Sequence, residues 1–94
     1  MNYRETDRGI AVDFTLKLPY SLHSRPAAKV AQTARNYLSD ISLIGESGEV
    51  DAKSMLDLLS LAPERNSRLT LLAHGPDALQ ALEALLAILT SDKE

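Results

Sequence analysis

From residue 10 to residue 18 the chain alternates without a break: Ile10, Val12, Phe14, Leu16 and Leu18 fall on one side of an extended backbone, and Ala11, Asp13, Thr15 and Lys17 on the other. Successive side chains of a strand point to opposite faces, so this segment carries an apolar face that must be covered and a polar one that need not be. Any fold built on it has to lay something over that face. Pro19 ends the run. Pro26, Ala27, Val30, Ala31, Ala34 and Leu38 then recur at helical spacing opposite Lys29, Gln32, Arg35 and Asn36, which predicts a helix beginning near Ser24.

The remainder repeats this exchange of periods. Residues 41–44 and 49–52 read as a hairpin around Glu46-Ser47-Gly48, and residues 54–61 as a short helix. Ala62-Pro63 and Asn66-Ser67 mark a loop, and residues 69–73 form a further strand. Gly75-Pro76-Asp77 then opens a last helix with Leu79, Leu82, Leu86 and Leu89 aligned. The predicted order is βαββαβα. It describes an α+β open-faced sandwich, a four-stranded antiparallel sheet covered on one face by three helices. Residues 1–94 form a single domain in this reading, with 1–9 and 91–94 as frayed ends.

Composition narrows the function classes. With 45% hydrophobic and 24% charged residues, the 94-residue chain suits a small globular fold rather than a disordered one. The absence of cysteine removes disulfides, thiolate metal sites and a cysteine nucleophile together. A net charge of −3 and 4% aromatic residues argue against a phosphate-neutralising stripe or a base-stacking platform, so no nucleic-acid partner is expected. No run is long and apolar enough for a signal core or a membrane span, and a soluble cytoplasmic protein without membrane insertion is expected. The carboxylates form no pair at helical or hairpin spacing, and His74 has no partner in sequence reach, so neither hydrolase chemistry nor a metal site is expected. No cofactor is called for.

Chemistry concentrates in residues 18–28, where His23 directly precedes a helix start and Arg25 falls in its first turn. Unpaired N–H groups and the positive end of the helix dipole favour an anion there, and Arg25 adds a permanently charged donor fork. An imidazole, with a reference pKa of about 6.5, retains a neutral nucleophilic fraction at pH 7. Ser24 is expected as the N-cap, its hydroxyl and amide placed to meet a phosphoryl oxygen. Taken singly, each residue has a bland reading: a packed loop histidine, an ordinary cap, a solvated charge. Together at one helix start they describe an anion site with a nucleophile in it.

The segment Leu22-His23-Ser24-Arg25-Pro26-Ala27-Ala28 resembles the active-site signature of the HPr phosphocarriers of the bacterial phosphoenolpyruvate-dependent phosphotransferase system, and Ala52-Lys53-Ser54-Met55-Leu56 resembles their second signature. The likeness runs from about Asp13 to Leu89. It implies that His23 is phosphorylated on Nδ1 by enzyme I and passes the group to an acceptor protein, with Arg25 and the helix start neutralising the charge. The acceptor implied is of the sugar-specific IIA type or of the nitrogen-related branch. Such a protein is a substrate in a relay and not an enzyme. Two departures stand out: Ser21 replaces the usual Gly, and Ala62-Pro63-Glu64-Arg65-Asn66 replaces a Gly-rich loop, where Asn66 is able to adopt a left-handed conformation.

The short helix carries more apolar surface than one core face buries, with Leu58 and Leu61 on one side and Met55, Leu56 and Leu59 on another. The surplus is expected to be exposed as a docking surface for protein partners, a use the resemblance also implies. Ser54-x-x-Asp57 matches a capping box whose acid is one carbon short. Ser54 also stands where some members of the resembled family are phosphorylated by a regulatory kinase. An alternative reading is therefore an interaction module switched at Ser54 without carrier activity, which has no need of His23 and Arg25. A small-molecule-binding domain of ferredoxin-like order is disfavoured by the last helix and by the histidine at a helix start.

Overall fold

The computed structural model describes residues 2–93. Its elements are β1 (Tyr3–Thr6), β2 (Gly9–Thr15), α1 (Ser24–Ala34), β3 (Asp40–Gly45), β4 (Gly48–Asp51), α2 (Met55–Leu61), β5 (Arg68–His74) and α3 (Ala78–Leu89). They form one sheet in the order β1-β2-β5-β3-β4, every pair antiparallel. The alternation seen in β2 extends across the sheet as a register-matched row: Tyr3, Val12, Leu71, Leu43 and Val50 stand side by side on five strands. A second row holds Ile10, Ala73 and Ile41. The helices cover this face, α3 lying over β2, β3 and β5 while α1 packs on α2 and α3.

The expected α+β sandwich with three covering helices is found, and its βαββαβα core is preceded by a strand that was expected to be loose chain. Tyr3–Thr6 pairs with β2 through the register Tyr3↔Val12 to Thr6↔Gly9, making the sheet five-stranded. Three features hold this edge. Gly9 turns the hairpin at φ 131°, and a Cβ there would stand 2.3 Å from the Ala73 carbonyl oxygen, so only glycine fits. Arg8, in the β1–β2 turn, makes a bidentate ion pair with Glu49 on β4 at the far edge, and Arg4 donates to Asp13 at 2.6 Å. At the other end, the Ser91 N–H donates to the Ile88 carbonyl, continuing the last turn of α3, while Met1 and Glu94 lie outside the described residues.

Three further expectations change at element ends. The ladder of β2 stops at Thr15, and Leu16 and Lys17 instead donate their N–H groups to the Ser67 and Leu89 carbonyls, although Leu16 and Leu18 stay buried. Helix α1 ends at Ala34, so Leu38 lies beyond its apolar stripe and is 80% exposed. In α3, Leu79 is 41% exposed and Leu85 takes its expected place in the core, because the buried stripe runs through Ala78, Ala81, Leu82, Leu85, Leu86 and Leu89.

Asp77 joins the end of α1 to the start of α3. Its carboxylate accepts from the Leu38 and Ser39 amides at 2.9 and 3.0 Å and from the Ser39 hydroxyl at 2.6 Å. Ser39 is thereby fully buried yet satisfied, and Gly75 must be glycine because a Cβ would come within 2.5 Å of the Ser39 oxygen.

The Ser39 hydroxyl, followed by the Leu38 amide, lowers the pKa of Asp77. The Thr70 hydroxyl and then Arg4 do the same for Asp13, and Arg8 for Glu49. Each depressed carboxyl binds protons more weakly folded than unfolded, so its stabilisation is complete above the unfolded pKa and is lost as pH falls through the folded value. The melting temperature is therefore expected to be flat from pH 7 to about pH 5 and to fall below about pH 4. Asp77→Ala should melt lower at neutral pH and show a smaller acid fall. A thermal melt series in which that variant keeps the full acid fall would remove Asp77 as a source.

Candidate functional site

Residues 16–23 lead from the end of β2 to α1, and the part before the helix is anchored on both sides. Leu22 is buried and its N–H donates to the Pro63 carbonyl at 3.2 Å, while Ser21 bridges to Glu64 in antiparallel fashion. Pro26 and Ala27 are buried just after the site. Burying a leucine side chain is worth about 1.5–3 kcal/mol, enough to fix the residue that follows it. His23 is thus held between two apolar anchors.

His23 itself is the N-cap of α1, with an extended backbone at φ −94° and ψ −171°. Its carbonyl accepts the first helical bond, from Ala27 N–H at 2.9 Å, and its N–H donates to the Ser21 carbonyl at 3.0 Å. The expected cap, Ser24, is instead the first helical residue: the chain turns into the helix one position earlier than the serine suggested. His23 is half-buried, more enclosed than the exposed nucleophile expected, whereas Ser24 and Arg25 are exposed. First-turn amides have no acceptor within a helix, and because Pro26 lacks an N–H, those of Ser24 and Arg25 are the ones α1 offers. No acidic residue stands in that first turn to neutralise it. The arrangement suits a dianion placed between the histidine, two main-chain donors and the Arg25 fork.

Helix α2 lies against α1 and runs the opposite way. Its start is tied to the far end of α1 by Arg35, which donates to the Lys53 carbonyl at 2.8 Å, and by the Lys53 ammonium, which donates to the Tyr37 carbonyl at 2.9 Å. Its end reaches the His23 loop through Pro63 and Glu64. Ser54 caps α2 by accepting from the Asp57 N–H at 3.2 Å. The box is half closed: the Asp57 carboxylate accepts from the Asp51 N–H at 3.4 Å, while the Ser54 N–H goes to the Asp51 carbonyl at 3.0 Å.

The patch expected on α2 is smaller than its sequence implied. Leu56 is 80% exposed, but Met55 and Leu59 are half-buried against the core, drawn in on either side of fully buried Leu58. Tyr20, which the sequence reading passed over, is 75% exposed three residues before His23. Its signal was available: an aromatic residue just past Pro19 lies outside the alternation that would bury it. Lys93, and Lys29 beyond its place on the polar face of α1, were passed over as well. They meet Arg25 around a cleft that no periodicity predicts, because its walls come from opposite ends of the chain.

A half-buried histidine at a helix start, beside first-turn amides and an arginine fork, is an arrangement suited to an anionic group. The family described as the phosphotransferase-system HPr component phosphorylation site matches residues 10–91. Phosphocarrier protein HPr of Buchnera aphidicola is 37% identical over 86% of this chain and 95% of its own length, and that of Cupriavidus necator 37% over 84% and 89%. The HPr-like protein Crh of Bacillus subtilis is 40% identical over 77% of this chain and 85% of its own. Among solved structures, HPr of Thermoanaerobacter tengcongensis superposes with a TM-score of 0.81 at 33% identity, covering 87% of this chain and 92% of the other. The phosphocarrier HPr of Bacillus anthracis does so at 0.80 and 35%, covering 84% and 94%. The chain belongs to the HPr family of phosphocarriers, which are carriers and not enzymes. Its strand β1 precedes the segment that the family description covers. Among the described residues, no helix is long and apolar enough to cross a membrane.

The loop that braces His23 contains two left-handed residues without glycine, Ala62 at φ 45° and Asn66 at φ 73°. Asn66 takes the left-handed conformation that its residue type permits, whereas Ala62, the C-cap of α2, pays the Cβ penalty. Ala62→Gly should raise the unfolding free energy by about 0.5–1 kcal/mol, after the entropy cost of glycine, and the melting temperature by roughly 2–8 °C. Calorimetry showing a lower melting temperature would mean the side chain contributes packing that outweighs the strain.

Proposed function

We propose that His23 accepts a phosphoryl group on Nδ1 from phosphorylated enzyme I and passes it to an acceptor protein of the sugar-specific IIA type or of the nitrogen-related branch. The observation that carries this is the position of His23 as N-cap of an α1 start that presents the Ser24 and Arg25 amides and the Arg25 side chain with no acid in the turn. In the accepting step the Nδ1–phosphorus bond forms as the donor's bond to phosphorus breaks, and in the passing step the Nδ1–phosphorus bond breaks as the acceptor's nucleophile bonds to phosphorus, leaving a neutral imidazole at His23. Such transfer demands placement and charge neutralisation more than covalent machinery, which is what a small domain is able to supply. Ser24 serves as a hydroxyl and amide donor to the phosphoryl oxygens.

Leu56, with the exposed parts of Met55 and Leu59, forms in this reading the apolar contact for enzyme I and acceptor proteins. Ser54 is the regulatory position, open to a kinase where the organism has one. A phosphate there adds a charge of about −1.5 to −2 beside the apolar contact, imposing desolvation on any partner that covers it. The second reading is an interaction module switched at Ser54 without carriage; relatives of the chain include proteins named HPr-like protein Crh. It assigns no work to His23 or Arg25. Acid-labile phosphate incorporation from phosphoenolpyruvate and enzyme I distinguishes the two.

His23→Ala should abolish that incorporation and leave the circular dichroism spectrum unchanged; retained incorporation removes the carrier reading. Arg25→Ala should slow transfer by about a hundredfold, the equivalent of about 3 kcal/mol, and Arg25→Lys should recover part of it, because an ammonium lacks the planar fork. Equal rates for both and the parent would leave the main-chain donors as the whole site.

Ser54→Asp should weaken binding to enzyme I about tenfold by titration calorimetry, about 1.4 kcal/mol, with melting temperature equal to or slightly above the parent. Ser54→Ala should bind normally and lose about 0.5–1 kcal/mol of cap stability. Undiminished binding by Ser54→Asp would take α2 out of the docking surface.

A further inference from the structure

We propose that the cleft between the start of α1 and the end of α3 binds a small organic phosphate bearing a second anionic group, and that this ligand competes for Arg25 with the phosphoryl group on His23. The regulatory half of the proposal rests on the carrier reading, while the binding half does not. The cleft has a volume of about 370 Å³, within the roughly 300–1,000 Å³ typical of small-molecule sites. Leu18, Pro26 and Ile88 give it apolar walls, and every charged residue lining it is a cation: Arg25, Lys29 and Lys93.

Three cations lining one cleft run against the balance of a chain whose net charge is −3. None of the three is ion-paired with a described residue; the salt bridges there belong to Arg4 and Arg8. Like charges gathered at one cleft repel unless an anion joins them, and the group is assembled from two elements, Arg25 and Lys29 four residues apart on α1 and Lys93 after α3. A lone phosphate dianion leaves positive charge unmatched and the apolar walls uncovered. A short carbon body carrying phosphate at one end and a carboxylate or second phosphate at the other answers both requirements. Arg25 has a single fork. When that fork holds the ligand it is withdrawn from the site at His23, so occupancy of the cleft slows phosphoryl acceptance without contact with the nucleophile.

The test uses the full chain with 3-phosphoglycerate as probe and inorganic phosphate as control. Amide resonances of Leu18, Ala87 and Ile88 should shift saturably, with affinity for 3-phosphoglycerate at least fivefold above that for phosphate. The double variant Lys29→Ala/Lys93→Ala should weaken binding at least tenfold. Ala87→Glu, which puts a carboxylate at the exposed rim and leaves the lysines in place, should abolish it. His23→Gln should bind as the parent does. Absence of a saturable shift, equal affinity for inorganic phosphate, unchanged binding in the lysine variant, or lost binding in His23→Gln each overturns the site. In phosphate-incorporation assays, saturating 3-phosphoglycerate should slow the parent at least threefold and leave Lys29→Ala/Lys93→Ala unaffected. Binding without slowing overturns the link through Arg25. A parent that accepts no phosphate at all refutes the carrier reading and the competition that depends on it, and leaves the resonance titration to judge the cleft by itself.

Discussion

The contact on which the rest of the molecule depends is the apolar row centred on Leu71, flanked by Val12 on one side and Leu43 on the other. β5 is the last strand in the chain and yet the middle one in the sheet, so neither β2 nor the β3–β4 hairpin has its inner partner until residues about sixty and thirty positions apart have met. Once the row forms, its covered face requires three helices, and their positions follow. α3 spans the centre because β5 leads directly into it. α1 and α2 fill the remaining width, with the buried Val30, Ala31, Ala34 and Leu58 turned inward.

That arrangement accounts for where the chemistry sits. Strand β2 runs into a loop that must climb from the sheet to the helical layer, and the loop from α2 to β5 descends beside it. The two meet as Leu22 with Pro63 and Ser21 with Glu64, each supplying backbone partners that the other lacks. His23 emerges from this junction. Rigidity in the loop thus comes from a second loop, and a serine at position 21 is compatible with it because that residue sits in an ordinary bridge.

The sequence displayed whatever depends on local period. The alternation in residues 10–18, the apolar stripe of α1, the short helix capped by Ser54 and the signature around His23 were all legible because neighbouring residues carry them. What escaped depends on contacts between distant parts. β1 has a polar sequence, Tyr3-Arg4-Glu5-Thr6, and forms only because β2 offers an open edge and Arg8 finds Glu49 across the sheet. Leu38 fits the helical spacing but not the helix, since Asp77 captures the Leu38 and Ser39 amides and turns the chain away. The Ser24 cap was misplaced for a similar reason: the anchoring of Leu22 and Pro26 sets where the helix begins, and that places His23 at the cap. Met55 and Leu59 were expected outside because periodicity assigns faces, not depth, and α2 lies low enough on the core to half-bury both.

The two proposed phosphorylation positions are separated by the length of α1. His23 stands at its start, and Ser54 is fixed beside its end through the bonds of Arg35 and Lys53, so eleven residues at 1.5 Å each put about 16 Å between them. Exposed charges at that separation are screened, because the Debye length is about 8 Å at physiological ionic strength. A phosphate on Ser54 therefore has little direct influence on a phosphoryl group at His23. In the proposed reading the two communicate through the partner: a protein broad enough to reach His23 while resting on Leu56 must cover the ground beside Ser54, and a dianion there raises the cost of docking without altering the nucleophile. The same geometry sets the cleft at Arg25 apart. Being beside the first turn of α1, it would act in the proposed reading on the charge that stabilises the phosphoryl group itself, so that one end of the helix would govern transfer and the other access.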